Sequence, residues 1–161
     1  MKNFYIIWSF IFILIAFILT IDMLNKPGTK IKKIGEIAGV NLYECKIIYN
    51  NDTHGGFHGD GEYFAKLDCS SLKNYSAILK WNKLPLNEDI KKEILVESCS
   101  IEKCTNVLER YNIPNIKNGY YYFIDRNSTY DKELNIKIYY NYSLFLFDED
   151  NKSIYYYELD T

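Results

Sequence analysis

The sequence predicts an α+β fold. An antiparallel sheet of about five strands with two or three short helices follows an N-terminal transmembrane helix. Three observations predict it. An uncharged apolar run opens the chain, period-two alternation recurs on both sides of the remainder, and helical spacing falls between. The 161 residues leave room for one domain and hardly two. The division expected is an anchor over 1–24, a stalk over 25–40 and a single globular domain over 41–161.

The anchor is the run Phe4 to Ile21, 18 residues without a charge. At 1.5 Å per residue a helix of that length spans about 27 Å, close to the hydrocarbon thickness of a bilayer. Tyr5 and Trp8 lie near one end, where aromatic rings favour the interface. A cleaved signal peptide has a shorter apolar region and a small-residue cleavage site, and none is found after this run. Orientation draws on two opposed signals. Lys26, Lys30, Lys32 and Lys33 come after the span and only Lys2 precedes it, which favours a cytoplasmic domain. A minimal lysine-bearing tail ahead of an apolar run is a signal-anchor pattern, which exports the remainder of the chain. The reading adopted is a single-pass protein of the cell membrane with an extracytoplasmic domain.

The first strands form a hairpin. Tyr43, Cys45, Ile47 and Tyr49 alternate with Glu44, Lys46 and Ile48, and Tyr63, Ala65, Leu67 and Cys69 alternate with Glu62, Phe64, Lys66 and Asp68. Folding about Phe57 sets Cys45 against Cys69, Ile47 against Leu67, Tyr49 against Ala65 and Lys46 against Asp68. Ser70 or Ser71 can cap a helix carrying Leu72, Tyr75 and Leu79, and Asn87 a second carrying Ile90, Ile94 and Leu95. Cys104, Val107, Leu108 and Tyr111 have the spacing of a third. Strands are expected at Tyr120 to Arg126, Ile136 to Phe147 and Ser153 to Leu159, the last two joined by a turn at 148–152. Leu144 to Phe147 is apolar on both faces, as a central strand is.

The loop Asp52-Thr-His-Gly-Gly-Phe-His-Gly-Asp-Gly61 gathers both histidines and four of the eight glycines of the chain. Hairpins turn in about two to five residues, so its length needs a reason. Asp52, His54, His58 and Asp60 offer two carboxylates and two imidazoles, suited to a divalent metal or another polar ligand. Gly55, Gly56, Gly59 and Gly61 allow the backbone to approach such a ligand closely. The simpler reading is a long loop whose Asp and His side chains bond its own amides.

The same loop resembles a motif in small, uncharacterised membrane-anchored proteins of Firmicutes. Further similar stretches are Trp81-Asn-Lys-Leu-Pro85, the segment from Ile113 to Arg126, and the ending Tyr155-Tyr-Tyr-Glu-Leu-Asp-Thr161. The resemblance covers most of the domain. It implies a low-GC Gram-positive source, in keeping with a composition rich in residues of AT-rich codons, and it carries no activity or site roles.

The four cysteines are Cys45, Cys69, Cys99 and Cys104. The hairpin register singles out Cys45–Cys69 and leaves Cys99–Cys104 as a local pair; reduced, buried cysteines are the alternative. Ten of the 16 tyrosines lie from Tyr120 onward. Strand propensity accounts for them, or one aromatic face of the sheet is exposed to a partner. A net charge of -2 gives no signature for nucleic acid. No Walker loop, nucleophile elbow, zincin helix or paired CxxC is present. The chain therefore reads as a membrane-anchored, non-catalytic binding or interaction module with a protein or cell-surface partner. The alternative is a metal- or polar-ligand site, hydrolytic or not, in loop 52–61.

Overall fold

The computed structural model describes residues 11–17, 19, 27–55, 60–96, 99–100, 103–104, 106–126, 129–131 and 136–161. Its centre is a six-stranded antiparallel sheet of β1 (Lys46–Asp52), β2 (Gly61–Asp68), β3 (Asn82–Lys83), β6 (Gly119–Asp125), β9 (Tyr142–Asp148) and β10 (Ser153–Asp160), in the order β1-β2-β10-β9-β6-β3. Two two-stranded ribbons accompany it, β4 (Cys99–Ser100) with β5 (Lys103–Cys104), and β7 (Thr129–Asp131) with β8 (Ile136–Tyr139). The α+β expectation holds, with one more strand in the sheet than foreseen and the ribbons besides.

The sheet is covered on both faces. On one face Ala65, Leu67, Phe145, Phe147, Ile154 and Tyr156 pack under Ile31, Ile34, Ala38, Ile78 and Trp81. On the other, Phe64, Tyr121, Leu144, Leu146, Tyr155 and Tyr157 pack under Leu86, Ile94 and Val107. Alternation along each strand divides the side chains between two cores. Every residue of β9, and all of β10 but Asp160, is buried, as the two-sided apolar pattern of a central strand requires. The tyrosines of the last strands thus go largely to the cores: Tyr121, Tyr142, Tyr155, Tyr156 and Tyr157 are all buried.

The first cover is α1 (Pro27–Ala38), lying where a stalk was expected. Ile31, Ile34 and Ala38 make one helical stripe and are buried against the sheet. Gly39 ends the helix at φ +65°, with its amide on the Glu36 carbonyl and the Val40 amide on Gly35, the two bonds of a Schellman cap. A side chain at position 39 would be strained in that conformation. The other face is covered by α2 (Glu88–Val96) and α3 (Val107–Arg110). As expected, Asn87 caps α2, its Oδ1 accepting from the Ile90 amide at 2.8 Å.

Four local expectations need correction. The helix over Leu72 to Leu79 is instead a series of turns ending in a 3-10 turn, Ile78–Lys80. Short side-chain caps hold it: Asp68 accepts from the Ser70 amide and Asn74 from the Ser76 amide, bonds that compete with helix. Cys104 lies in β5 and not in the third helix, which Asn106 starts by accepting from the Leu108 amide. The strand expected over 136–147 is split between β8 and β9. The hairpin register holds for Lys46–Asp68 and Ile47–Leu67, then slips at a bulge between Ile47 and Tyr49, so Asn50 and not Tyr49 faces Ala65. Tyr49 moves to the other face and meets the Phe64 ring at 5.9 Å.

Cys45 and Cys69, which the register set opposite each other with both oxidised and reduced states open, form a disulfide closing 24 residues. The backbone also sets Cys99 opposite Cys104. Among the described residues no helix is long and apolar enough to cross a membrane. Most of the run Phe4 to Ile21 lies outside the described residues; its part 11–17 is helical, and Phe12, Ile13, Leu14 and Phe17 are all exposed.

Candidate functional site

One end of the sheet carries a concentration of charge. Asp52 closes β1, and Glu158 and Asp160 close β10, two strands away across β2. Tyr156, Glu158 and Asp160 alternate along β10 and so share the face covered by α1. The pairing of Asp160 with Gly61 brings the root of the long loop beside them.

His54 is held between two of these carboxylates. Asp52 Oδ1 accepts from the His54 amide at 3.3 Å and lies 2.8 Å from Nδ1, which places the ring proton there. His54 Nε2 is 3.4 Å from Asp160 Oδ2, is buried, and has no hydrogen-bond partner of good geometry. The Thr53 amide and hydroxyl both bond Glu62, which extends the hairpin one step past β1 and fixes the approach to His54. Gly61 is what allows it: a Cβ there would stand 2.6 Å from His54 Cα. Burial works to raise the Asp52 carboxyl's pKa, but the hydrogen bonds from His54 and the charge of Lys30 outweigh it and hold the group below its ordinary value.

Arg126, just beyond β6, organises the other two. Its guanidinium donates to Glu158 Oε1 at 2.6 Å, to Asp160 Oδ1 at 2.8 Å and to the Leu159 carbonyl at 3.2 Å. Tyr156 donates to Glu158 Oε2 at 2.7 Å. Burial and the neighbouring Glu158 charge push the Tyr156 phenol far above its ordinary pKa, so it stays a donor. Glu158 is thereby buried as a fully bonded carboxylate.

Between this sheet end and α1 lies a cavity of about 360 Å³. Lys30, Lys33, Ile34 and Ile37 line it from the helix; Asp52, His54, Tyr63, Tyr156, Glu158 and Asp160 line it from the sheet. Lys30 Nζ is 3.7 Å from Asp52 Oδ2 and lies over the Tyr63 ring, 5.3 Å from its centroid. Tyr63 is 7% exposed, and its hydroxyl is buried without a hydrogen-bond partner of good geometry. Burial raises the Tyr63 pKa, and the charges of Asp52 and Glu158 add to the rise. The Asn50 side chain lies near enough to work against that rise, but it does not complete a well-formed hydrogen bond with the hydroxyl. An unbonded buried hydroxyl is costly, on the order of 1–3 kcal/mol.

Of the loop residues singled out from sequence, the fold brings Asp52 and His54 to this cavity and leaves Asp60 exposed outside its lining. Gly56, His58 and Gly59 lie outside the described residues. Among the described residues no group of three or more His, Cys, Asp or Glu is placed to hold a metal ion. Cys45 and Cys69 sit at the opposite end of the hairpin. Lys30, Tyr63, Glu158 and Asp160 were not read from the sequence. The alternation of Tyr156, Glu158 and Asp160 in a strand otherwise built for burial was the available signal.

A larger hollow, about 540 Å³, lies on the other face beside Tyr49, Phe64, Lys66 and Tyr111. Its central polar groups are satisfied: the Tyr111 hydroxyl donates to Glu62 and accepts from Asn51, and Arg110 pairs with Glu62. The cavity under α1 is therefore the stronger candidate. Comparison with protein-family models, curated proteins and solved structures finds no match to this chain.

Proposed function

We propose that the protein is a membrane-tethered, non-catalytic binding module that holds a small polar ligand in the cavity between α1 and the charged end of the sheet. The observation that carries this reading is the buried, unbonded Tyr63 hydroxyl in the wall of a charged cavity. A group left so is explained when a ligand completes it. Binding is favoured over catalysis because, among the described residues, no serine, threonine or cysteine lines the cavity to serve His54 as a nucleophile. The tether is supported by residues 11–17, a helical stretch whose large side chains are apolar and exposed on all sides. Such a surface suits lipid better than water. The Cys45–Cys69 disulfide supports an extracytoplasmic domain, since disulfides persist in oxidising compartments.

Native mass spectrometry of the full chain, extracted from its own membrane in detergent, tests the reading. A co-purifying small molecule that is lost in Tyr63→Phe is expected. A bare chain, or a molecule retained in that variant, would count against it. Protease accessibility of the C-terminus on intact cells reports the orientation.

A divalent metal is the second reading. Asp52 on Nδ1 is the arrangement that orients a ligating imidazole, and His54 Nε2 faces Asp160 Oδ2. Metal analysis of the purified chain beside His54→Ala separates the two readings. Stoichiometric metal lost in the variant would promote this one.

A further inference from the structure

The charges of the cavity lie on two facing walls. Lys30 and Lys33 stand on α1, and Asp52, Glu158 and Asp160 stand on the sheet end. Part of this charge is already committed. Both Glu158 oxygens are taken, by Arg126 and Tyr156; Asp160 Oδ1 is taken by Arg126 and Asp52 Oδ1 by His54. Two carboxylate oxygens are less engaged: Asp160 Oδ2, 3.4 Å from His54 Nε2, and Asp52 Oδ2, 3.7 Å from Lys30. Across from them stand the two ammonium groups of α1; Tyr63, on the sheet side, lies under Lys30, whose Nζ is 5.3 Å from its ring centroid, and carries a buried hydroxyl without a well-formed hydrogen bond.

A ligand of one sign answers only half of this arrangement. A simple anion would satisfy the lysines and Tyr63 but stand against three carboxylates. A simple cation would satisfy the carboxylates, stand against two lysines, and leave Tyr63 unbonded. A molecule bearing both signs matches both walls, and Ile34 and Ile37 supply an apolar flank beside them.

We propose that the cavity binds a free α-amino acid with an apolar side chain, its ammonium toward Asp160 and Asp52 and its carboxylate toward Lys30, Lys33 and the Tyr63 hydroxyl. The proposal rests on the cavity being the ligand site and adds the ligand's chemistry. The volume of about 360 Å³ falls within the range of small-molecule sites, about 300–1,000 Å³.

The test is a calorimetric titration of the full chain in detergent with three probes: L-leucine, N-acetyl-L-leucine and L-leucinamide. Each capped form lacks one charge and leaves one wall unanswered. L-leucine is expected to bind, with both capped forms at least about tenfold weaker. Lys33→Ala and Tyr63→Phe should each weaken L-leucine at least about tenfold at unchanged circular dichroism. Lys33 is on the helix surface, so its variant keeps the test open if another variant misfolds. A capped form that binds as well as L-leucine, and responds to Tyr63→Phe, overturns the zwitterion and leaves the cavity as the ligand site. If no probe binds, the amino acid proposal is overturned as well. A molecule that co-purifies with the chain and is lost in Tyr63→Phe would then keep the cavity reading alone. With no such molecule, both fall.

Discussion

The two ends of the central sheet are built from the same strands and differ in how completely they bond their polar groups. At one end the chain is closed. The Cys45–Cys69 disulfide ties β1 to β2, and the Cys69 amide bonds the Lys152 carbonyl of the neighbouring turn. Asp148 is only 3% exposed, yet its carboxylate accepts from the amides of Asp150 and Asn151 and from the Asn151 side chain. At the other end Tyr63 Oη, His54 Nε2 and Arg126 Nε are buried without well-formed hydrogen bonds, beside an open cavity. Buried polar groups are ordinarily bonded. The proposed ligand site rests on these three groups left without well-formed hydrogen bonds at one end of the strands.

The largest way to break this comparison is at the closed end. Replacing Cys45 and Cys69 together with alanine should lower unfolding stability by about 3 kcal/mol, read as a fall in the urea midpoint, with ligand binding intact once folded. At the open end, Arg126→Met leaves Glu158 a buried carboxylate short of a partner. Because the Arg126 side chain is 27% exposed, the loss should stay near about 2–3 kcal/mol, but here binding should fall with stability. Asp148→Ala strands two turn amides and should cost about 2 kcal/mol without touching binding.

A smaller effect sharpens the contrast through pH. The Asp52 pKa is lowered in the folded state. Its contribution is therefore present above the ordinary carboxylate value, about 3.9, and is lost as pH falls through the folded value. Asp52→Asn should lower the urea midpoint slightly near neutrality, where that contribution is lost, and flatten its decline on the acid limb, where the two proteins converge. A parallel decline in both proteins would mean that the His54 contacts add nothing. The group is close to half exposed, so the difference should be slight.

How much of this was legible in the sequence depends on the range of the interactions. The closed end could be read because its signals are local: alternation through Cys45, Ile47, Leu67 and Cys69 sets a register that only one pairing satisfies. The bulge after Ile47 was not legible, since alternation cannot announce an extra residue. Pro27-Gly28 at the start of α1 read as stalk, although Ile31, Ile34 and Ala38 already had the spacing of a buried helical stripe. Asp52 and His54 stood out as rare residues in one loop. Tyr63 meets Asp52 within the hairpin, but Glu158 and Asp160 join them only through the pairing of β2 with β10, which links residues nearly a hundred positions apart. No local pattern encodes that juxtaposition.

The smallest expected energy change is the most direct test of the account. The urea midpoint of the full chain should be measured for Tyr63→Phe beside the parent protein, both freed of ligand. If the hydroxyl is kept for a ligand, removing it relieves an unbonded buried group, and the stability read from the midpoint should stay level or rise by up to about 1 kcal/mol. A fall of about 1 kcal/mol would show that the hydroxyl has a partner within the protein, with Asn50 the first candidate, and would contradict the claim that this end of the sheet is held open for a ligand.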